Sequence, residues 1–552
     1  MHDDLRGRWR TFLLIFGGSV LFLVEMVGAQ PVGRGPATRP QPGLDVQDYD
    51  FHLTLADTTD RISGRATVRV RITNDTLTAV RLDLVGPPGG PSASGMQITA
   101  VSARGNAVPY RHTNDILRIR PEKALAAGQE RTLRIQYEGV PGDGLIIGTN
   151  RHGDRTFFGD NWPNRARHWL PVVDHLADKA TVEFRVTAPA EYEVVSNGAL
   201  VSDSTTGPMR TIHWRTDVPL PPKVMVIGVA DFAVDTVATV DGVPVQSWVY
   251  PEDREAGVRD LGQAPPILRF YEEKLGPYPY EKLANVQSTT RYGGMENASA
   301  IFYGEEAVAD DKNDTPLLAH EIAHQWYGNT VTEADWPHLW LSEGFATYLT
   351  GLYLEHARGP QVLRRFMERA RRRVVRFQVG HPNTPLVDTT FTDPNELLTA
   401  NPYQKGAWVL HMLRHKVGTE TFWEGLRAYY ERYRNQNAST SDLRRVMEDV
   451  SGQDLKPFFE QWTRQAGHPV VEGTWRHDAA AQECVVTLRQ AQDAAPFSAS
   501  IDVAVSGDTT RTEKLALDKR EVQRRIACPQ APSGLTLDPH VRLLGTFSTS
   551  RE

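Results

Sequence analysis

Cysteine is almost missing from this chain: 552 residues carry two, Cys484 and Cys528, both near the carboxyl end. So small a count excludes a disulfide-dense scaffold, and neither cysteine has a partner at metal-ligand spacing. One disulfide between them in an oxidising compartment and two free thiols stay equally open. Charge of one sign is scarce too. A formal net charge of −7 points to neither a nucleic-acid partner nor a strongly polar substrate. The basic cluster from Arg364 to Arg376 contains Glu368 and has helical spacing, so it reads as a solvated helix face rather than a polyanion site. Beyond the first 24 residues, no apolar run reaches membrane length.

The amino terminus is the exception. Arg6, Arg8 and Arg10 precede a largely apolar run, Thr11 to Val24, and Val27-Gly28-Ala29 offers small residues for cleavage. Residues 1–29 read as a signal peptide and 30–44, rich in Gly, Pro and Arg, as a flexible leader. A periplasmic or secreted location follows, with no stable membrane span after cleavage. An uncleaved membrane anchor is the runner-up.

A chain of this length needs two to four domains. Phe51 to Leu55 and Ala66 to Ile72 alternate apolar and polar residues as half-exposed strands do. Similar runs recur at Thr132 to Tyr137, Ala180 to Thr187 and Lys223 to Val229, so residues 45–242 are expected to form an amino-terminal β domain. Residues 243–469 read as mainly helical, including Ala264 to Leu275, Gly406 to Val417 and Thr419 to Arg434. Strand patterns return over 470–552. The expected class is multidomain α+β.

The strongest chemical signal is His320-Glu321-Ile322-Ala323-His324, followed by Glu343 nineteen residues later. Residues four apart share a helix face, so His320 and His324 can address one ion. Thr315-Pro316 reads as a helix start and Gly328-Asn329 as its end. Glu321 lies about 100° around the helix and can reach a metal-bound water without being a ligand. A second apolar helix starts at Trp340 and carries Glu343 beside the histidines. Two histidines, one carboxylate and an open position suit one zinc ion per chain.

Two further segments carry chemistry. Gly293-Gly294-Met295-Glu296-Asn297 places a carboxylate 24 residues before the first histidine. Glu296 suits recognition of an ammonium group, the glycines admit a substrate backbone, and Ala298 to Tyr303 reads as a strand able to pair with an extended peptide. Asn401-Pro402-Tyr403-Gln404-Lys405-Gly406 offers a phenol, Tyr403, suited to holding an oxyanion.

These motifs, in this order and at these spacings, resemble peptidase family M1, the gluzincin group that includes aminopeptidase N and leukotriene A4 hydrolase. The resemblance implies a zinc aminopeptidase that uses zinc-activated water, with Glu321 as general base and Tyr403 as transition-state donor. It implies His320, His324 and Glu343 as metal ligands, and Gly293, Gly294, Met295, Glu296 and Asn297 as the substrate-binding segment. Peptides with a free amino terminus are the implied partners. The implied fold is an amino-terminal β saddle, a thermolysin-like catalytic domain and a small carboxyl-terminal β-sandwich. The large helical cap of many members has no counterpart in the roughly eighty residues after Pro469, which implies a more open active site.

One segment departs from the family. The stretch Phe158 to Arg167, expected to frame the first substrate pocket, has no glutamine, and Asp160 and Asn161 are its polar candidates. Two other readings stay open: an M1-like hydrolase of a non-peptide substrate, of the epoxide-hydrolase type, and a catalytically silent zinc-binding scaffold. Oligomeric state is not readable from the sequence.

Overall fold

The computed structural model describes residues 40–552, apart from 75, 88–93, 309–313 and 508–509. The expected signal peptide and almost all of the leader lie outside the described residues.

Strand Leu44–Ala56 shows how the amino-terminal half is built. Leu44, Val46, Tyr49, Phe51, Leu53 and Leu55 are buried while their neighbours face outward, with a register shift between Val46 and Asp48. This strand pairs antiparallel with Thr59–Ile72 and parallel with Ala180–Pro189, inside an eight-stranded sheet. The Phe51 ring stacks on Phe184, and Trp169 covers Phe184. A four-stranded sheet of Glu193–Ser196, Ile227–Ala230, Arg155–Gly159 and Leu145–Thr149 carries the chain to the boundary with the helical part. The expected strand from Lys223 begins later, at Ile227, because Pro222–Val224 forms a 3-10 turn.

The hairpin Ala233–Val240 and Val243–Val249 straddles residue 242 and joins the sheet of the catalytic half. That sheet runs Ala233–Val240, Val243–Val249, Leu283–Ser288, Ala300–Gly304, Gly294–Met295. Here the structure corrects one expectation. Ala300–Gly304 is an inner strand, parallel to Leu283–Ser288 and, at Phe302 and Tyr303, antiparallel to Gly294–Met295, so it is not the outermost strand of the sheet. The outer strand is Gly294–Met295.

The helices are α1 (Arg254–Leu261), α2 (Ala264–Leu275), α3 (Thr315–His324), α4 (Trp340–Arg358), α5 (Pro360–Gly380), α6 (Gly406–Val417), α7 (Thr419–Tyr433), α8 (Thr440–Ser451) and α9 (Lys456–Arg464). The cap of α3 is Asp314 rather than Thr315, with Pro316 in the first turn. Helix α4 is buried from Trp340 to Leu354, which explains its almost unbroken apolar character. Gly344 and Gly406 let α4 and α6 touch: a Cβ on Gly344 would lie 2.8 Å from the Gly406 Cα.

Two further sheets close the chain, one of Val470–Asp478, Glu483–Gln490, Glu521–Ala527 and Thr546–Arg551, the other of Ala499–Ser506, Thr510–Leu517 and Gly534–Leu537. They grip α5 and α6. His411 Nε2 bonds the Val541 carbonyl at 2.9 Å. Arg371 pairs with Asp538, donates to the Leu543 carbonyl at 2.8 Å, and lies over the Trp408 and Phe547 rings. The basic cluster on α5 is therefore not all solvated, since Arg371 is an interface anchor.

Cys484 and Cys528 are free thiols. Cys484 sits opposite Ile526, and Cys528 is two residues further along that chain. Such diagonal positions stand roughly 7–8 Å apart at their Cα atoms, whereas a disulfide favours about 5.5–6 Å.

Candidate metal centre and active site

Helix α3 presents His320 and His324 on one face, and α4 crosses it so that Glu343, in the first turn, points at both. The His320 and His324 Nε2 atoms are 3.1 Å apart, and Glu343 Oε2 lies 3.3 Å from the first and 3.4 Å from the second. A tetrahedral ion with bonds of about 2.0–2.1 Å spaces its ligand atoms about 3.3–3.4 Å apart. The three donors therefore fit one zinc-sized ion. Burial disfavours ionised Glu343, yet His324 and His320 hold its carboxyl well below the usual range, in the form a metal requires.

His324 is held from behind. Its Nδ1 lies 3.1 Å from Ser342 Oγ and 3.2 Å from the Tyr327 carbonyl, which orients the ring for Nε2 ligation. Gly328, at φ 125°, makes room: a Cβ there would lie 2.4 Å from Ser342 Oγ and 2.9 Å from His324 Nδ1.

Glu321 is buried and points toward the outer strand. Burial pushes its carboxyl well above the ordinary range; nearby His324 works the other way, and the Glu296 and Glu343 carboxylates raise it further. A bound divalent cation would pull it down. Gly294 is a glycine for a spatial reason, because a Cβ there would meet Glu321 Oε1 at 2.4 Å. Gly294 thus leaves room for the Glu321 carboxyl.

Glu296 comes to the same place. Glu296, Glu321 and His324 each offer a ligand-type atom, all within 4.8 Å of one another. The main chain at Glu296 is clamped: Asn329 Nδ2 and Gln325 Nε2 donate to its carbonyl at 2.6 and 3.1 Å. Its Oε1 is buried with no hydrogen-bond partner among the described residues. Met295 packs in the core, and Asn297 is fully buried with no hydrogen-bond partner for its side-chain amide among the described residues.

Tyr403 lies in a single π-helical turn, Asn401–Lys405, leading into α6. Its ring stacks 6.0 Å from His320, and its phenol faces Glu343. Burial, with Glu343, Glu296 and Glu321 close by, keeps the phenol protonated and thus a donor. The predicted metal, base, amine-site and phenol residues therefore converge on one site.

In the segment without glutamine, the polar candidates Asp160 and Asn161 are both fully buried. Asn161 is turned inward, donating to Pro222 and Met225 carbonyls and accepting from Trp169. Asp160 pairs with Arg165 and accepts the Arg291 N–H, so it braces the turn before Gly293. Lys223, Gln325, Asn329 and Ser342 also shape the site. No motif marked them, and only Gln325, Asn329 and Ser342, beside the expected metal ligands, carried a positional hint.

The model described as "Peptidase M1 N-terminal domain" matches residues 46–222, and that described as "Peptidase family M1 domain" matches 259–462. The chain belongs to peptidase family M1. It is 29% identical over 454 residues to Aminopeptidase M1-A of Oryza sativa subsp. japonica, covering 77% of this chain and 50% of that protein. It is also 29% identical to human glutamyl aminopeptidase over 329 residues, 56% of this chain and 34% of the relative. The chain thus spans half or less of these curated relatives. Among solved structures, the M1 zinc metallopeptidase from Deinococcus radiodurans superposes with a TM-score of 0.68 at 27% identity. That match covers 79% of this chain and 98% of the other. Its E323A mutant bound to a Tyr-Ser-Ala substrate is similar at TM-score 0.67 and 26% identity, over 78% and 97%. The M1 fold, an amino-terminal β-rich part, a helical catalytic part and carboxyl-terminal strands, is present here, and membership implies a zinc ion.

Proposed function

We propose that this protein is a secreted or periplasmic zinc aminopeptidase that removes the amino-terminal residue from peptides. The carrying observation is Glu296: a buried carboxylate whose Oε1 accepts no hydrogen bond among the described residues, held beside the base Glu321 and the metal donors. Such a group is suited to an ammonium and sets the cleavage point one residue from it. Location rests on the amino-terminal sequence; among the described residues no helix is long and apolar enough to cross a membrane.

When bound by His320, His324 and Glu343, zinc would supply Lewis acidity toward the scissile carbonyl and lower the pKa of water. An extended substrate lies along the outer edge of Gly294–Met295, with its ammonium on Glu296. Glu321 takes the proton of the attacking water and delivers it to the leaving amine. The Tyr403 phenol donates to the oxyanion that forms on the carbonyl oxygen. Glu296 argues against a neutral non-peptide as sole substrate, and the complete set of acid, base and phenol argues against a silent scaffold.

Glu321→Gln tests this assignment. The variant should bind one zinc per chain, measured by atomic absorption, and lose about a thousandfold or more in kcat. Wild-type turnover by that variant would remove Glu321 from its role.

A further inference from the structure

Lys223 belongs to the amino-terminal β half, in the turn Pro222–Val224, yet its side chain ends inside the catalytic half. It is 1% exposed. Its Nζ donates to Glu333 Oε1 at 2.8 Å and stands 3.9 Å from Glu296 Oε1, the oxygen that accepts no hydrogen bond among the described residues. Glu333 is itself fixed, in the short strand Val331–Glu333, and Asn437 donates to its carbonyl. The lysine is thus tied to one acid and faces a second across a gap too long for a hydrogen bond.

The consequence concerns the Glu296 rotamer. Asn329 and Gln325 hold its main chain, while no hydrogen bond among the described residues holds its Oε1. With a divalent cation bound, Glu321 and Glu343, on the site side, carry the same sign as Glu296 and repel its carboxylate. The short bond to Glu333 keeps the Lys223 cation from closing on Glu296 and filling the place an ammonium would take.

We propose that Lys223 is a positioning residue that reaches across from the β half and holds the Glu296 carboxylate in the orientation that receives the substrate's ammonium. The inference rests on the aminopeptidase reading of Glu296. It also gives the amino-terminal half a share in the site that the catalytic motifs do not reveal.

The test uses two inhibitors on the zinc-loaded full chain, L-leucine hydroxamate and its des-amino counterpart 4-methylpentanoyl hydroxamate, with binding measured by calorimetry. Their affinity ratio reads the amine site and not the rate of catalysis. The variant Lys223→Met/Glu333→Gln removes both members of the short ion pair, so no buried charge of that pair is left behind. We expect it to cut the amino-over-des-amino preference about tenfold or more, to raise KM for aminoacyl-arylamides more than it lowers kcat, and to leave des-amino binding near wild type. Lys223→Arg should recover part of the preference. Lys223→Gln, which keeps a hydrogen bond toward Glu333, serves if the double variant does not fold, and should also lose the preference. A preference that is unchanged or increased in these variants would overturn the inference alone. Equal binding of both hydroxamates by the unaltered protein would overturn the Glu296 reading, and this inference with it.

Discussion

A methyl group on Gly294 would sit 2.4 Å from Glu321 Oε1, closer than nonbonded atoms tolerate. Gly294→Ala should therefore displace the base while leaving the fold intact. We expect kcat to fall at least about tenfold with a Tm change of no more than a few degrees; activity equal to wild type would show that Glu321 has room to spare. Ser342 makes a separate case, since its hydroxyl lies behind His324, 3.1 Å from Nδ1. Ser342→Ala should weaken zinc binding about 10- to 100-fold in a chelator competition. At this scale the sequence was readable where chemistry fixes both residue type and spacing, as with His320, His324 and Glu343, whereas Glu296 and Tyr403 were singled out by the family resemblance. It was unreadable where a group arrives through space: nothing local to Lys223 distinguishes it from a surface lysine, and only the fold brings it to Glu296.

Between elements, the crossing of α4 and α6 sets where Tyr403 stands relative to Glu343. Their backbones meet at Gly344 and Gly406. Gly344→Ala should push the helices apart and cost about 1–3 kcal/mol, seen as a lower Tm, with kcat falling further than stability alone explains because Tyr403 moves with α6. An unchanged Tm would contradict the contact. Helices α2 and α6 fall where the sequence placed them, each ended by a glycine, Gly276 and Gly418. The outer strand was misplaced for a physical reason. Sequence periodicity reports which faces of a strand are buried, while the edge is a row of backbone groups identical in every residue. Ala300–Gly304 looked like a docking strand, and the two-residue strand Gly294–Met295 takes that position.

The whole molecule depends on contacts that tie its carboxyl-terminal sheets to the catalytic helices. His411 is buried in that junction, bonded on one nitrogen to the Val541 carbonyl and on the other to the Tyr348 hydroxyl, an arrangement that suits neutral imidazole. Burial, reinforced by His415, lowers its pKa to about 3. An unfolded histidine titrates near 6.5, so the unfolded state binds a proton first, and stability from this site falls as pH drops from about 6.5 toward 3. The loss is on the order of 4 kcal/mol by pH 3.5. Denaturant titrations of His411→Gln should therefore show a flatter acid limb than wild type, and an identical slope would contradict the assignment. This junction was invisible beforehand: Arg371 read as one more cation on a solvated face, and its partner Asp538 lies far along the chain.

The central claim is that a metal centre and a carboxylate for the substrate's ammonium act together. Hydrolysis of a panel of aminoacyl-arylamides, with matched amino-blocked compounds and with or without chelator, tests it most directly. Chelator-sensitive cleavage of the free-amine substrates alone is the predicted result, with zinc restoring the rate after chelation. Cleavage of blocked substrates at a comparable rate would contradict the role of Glu296, and turnover that survives removal of the metal would contradict the role of His320, His324 and Glu343.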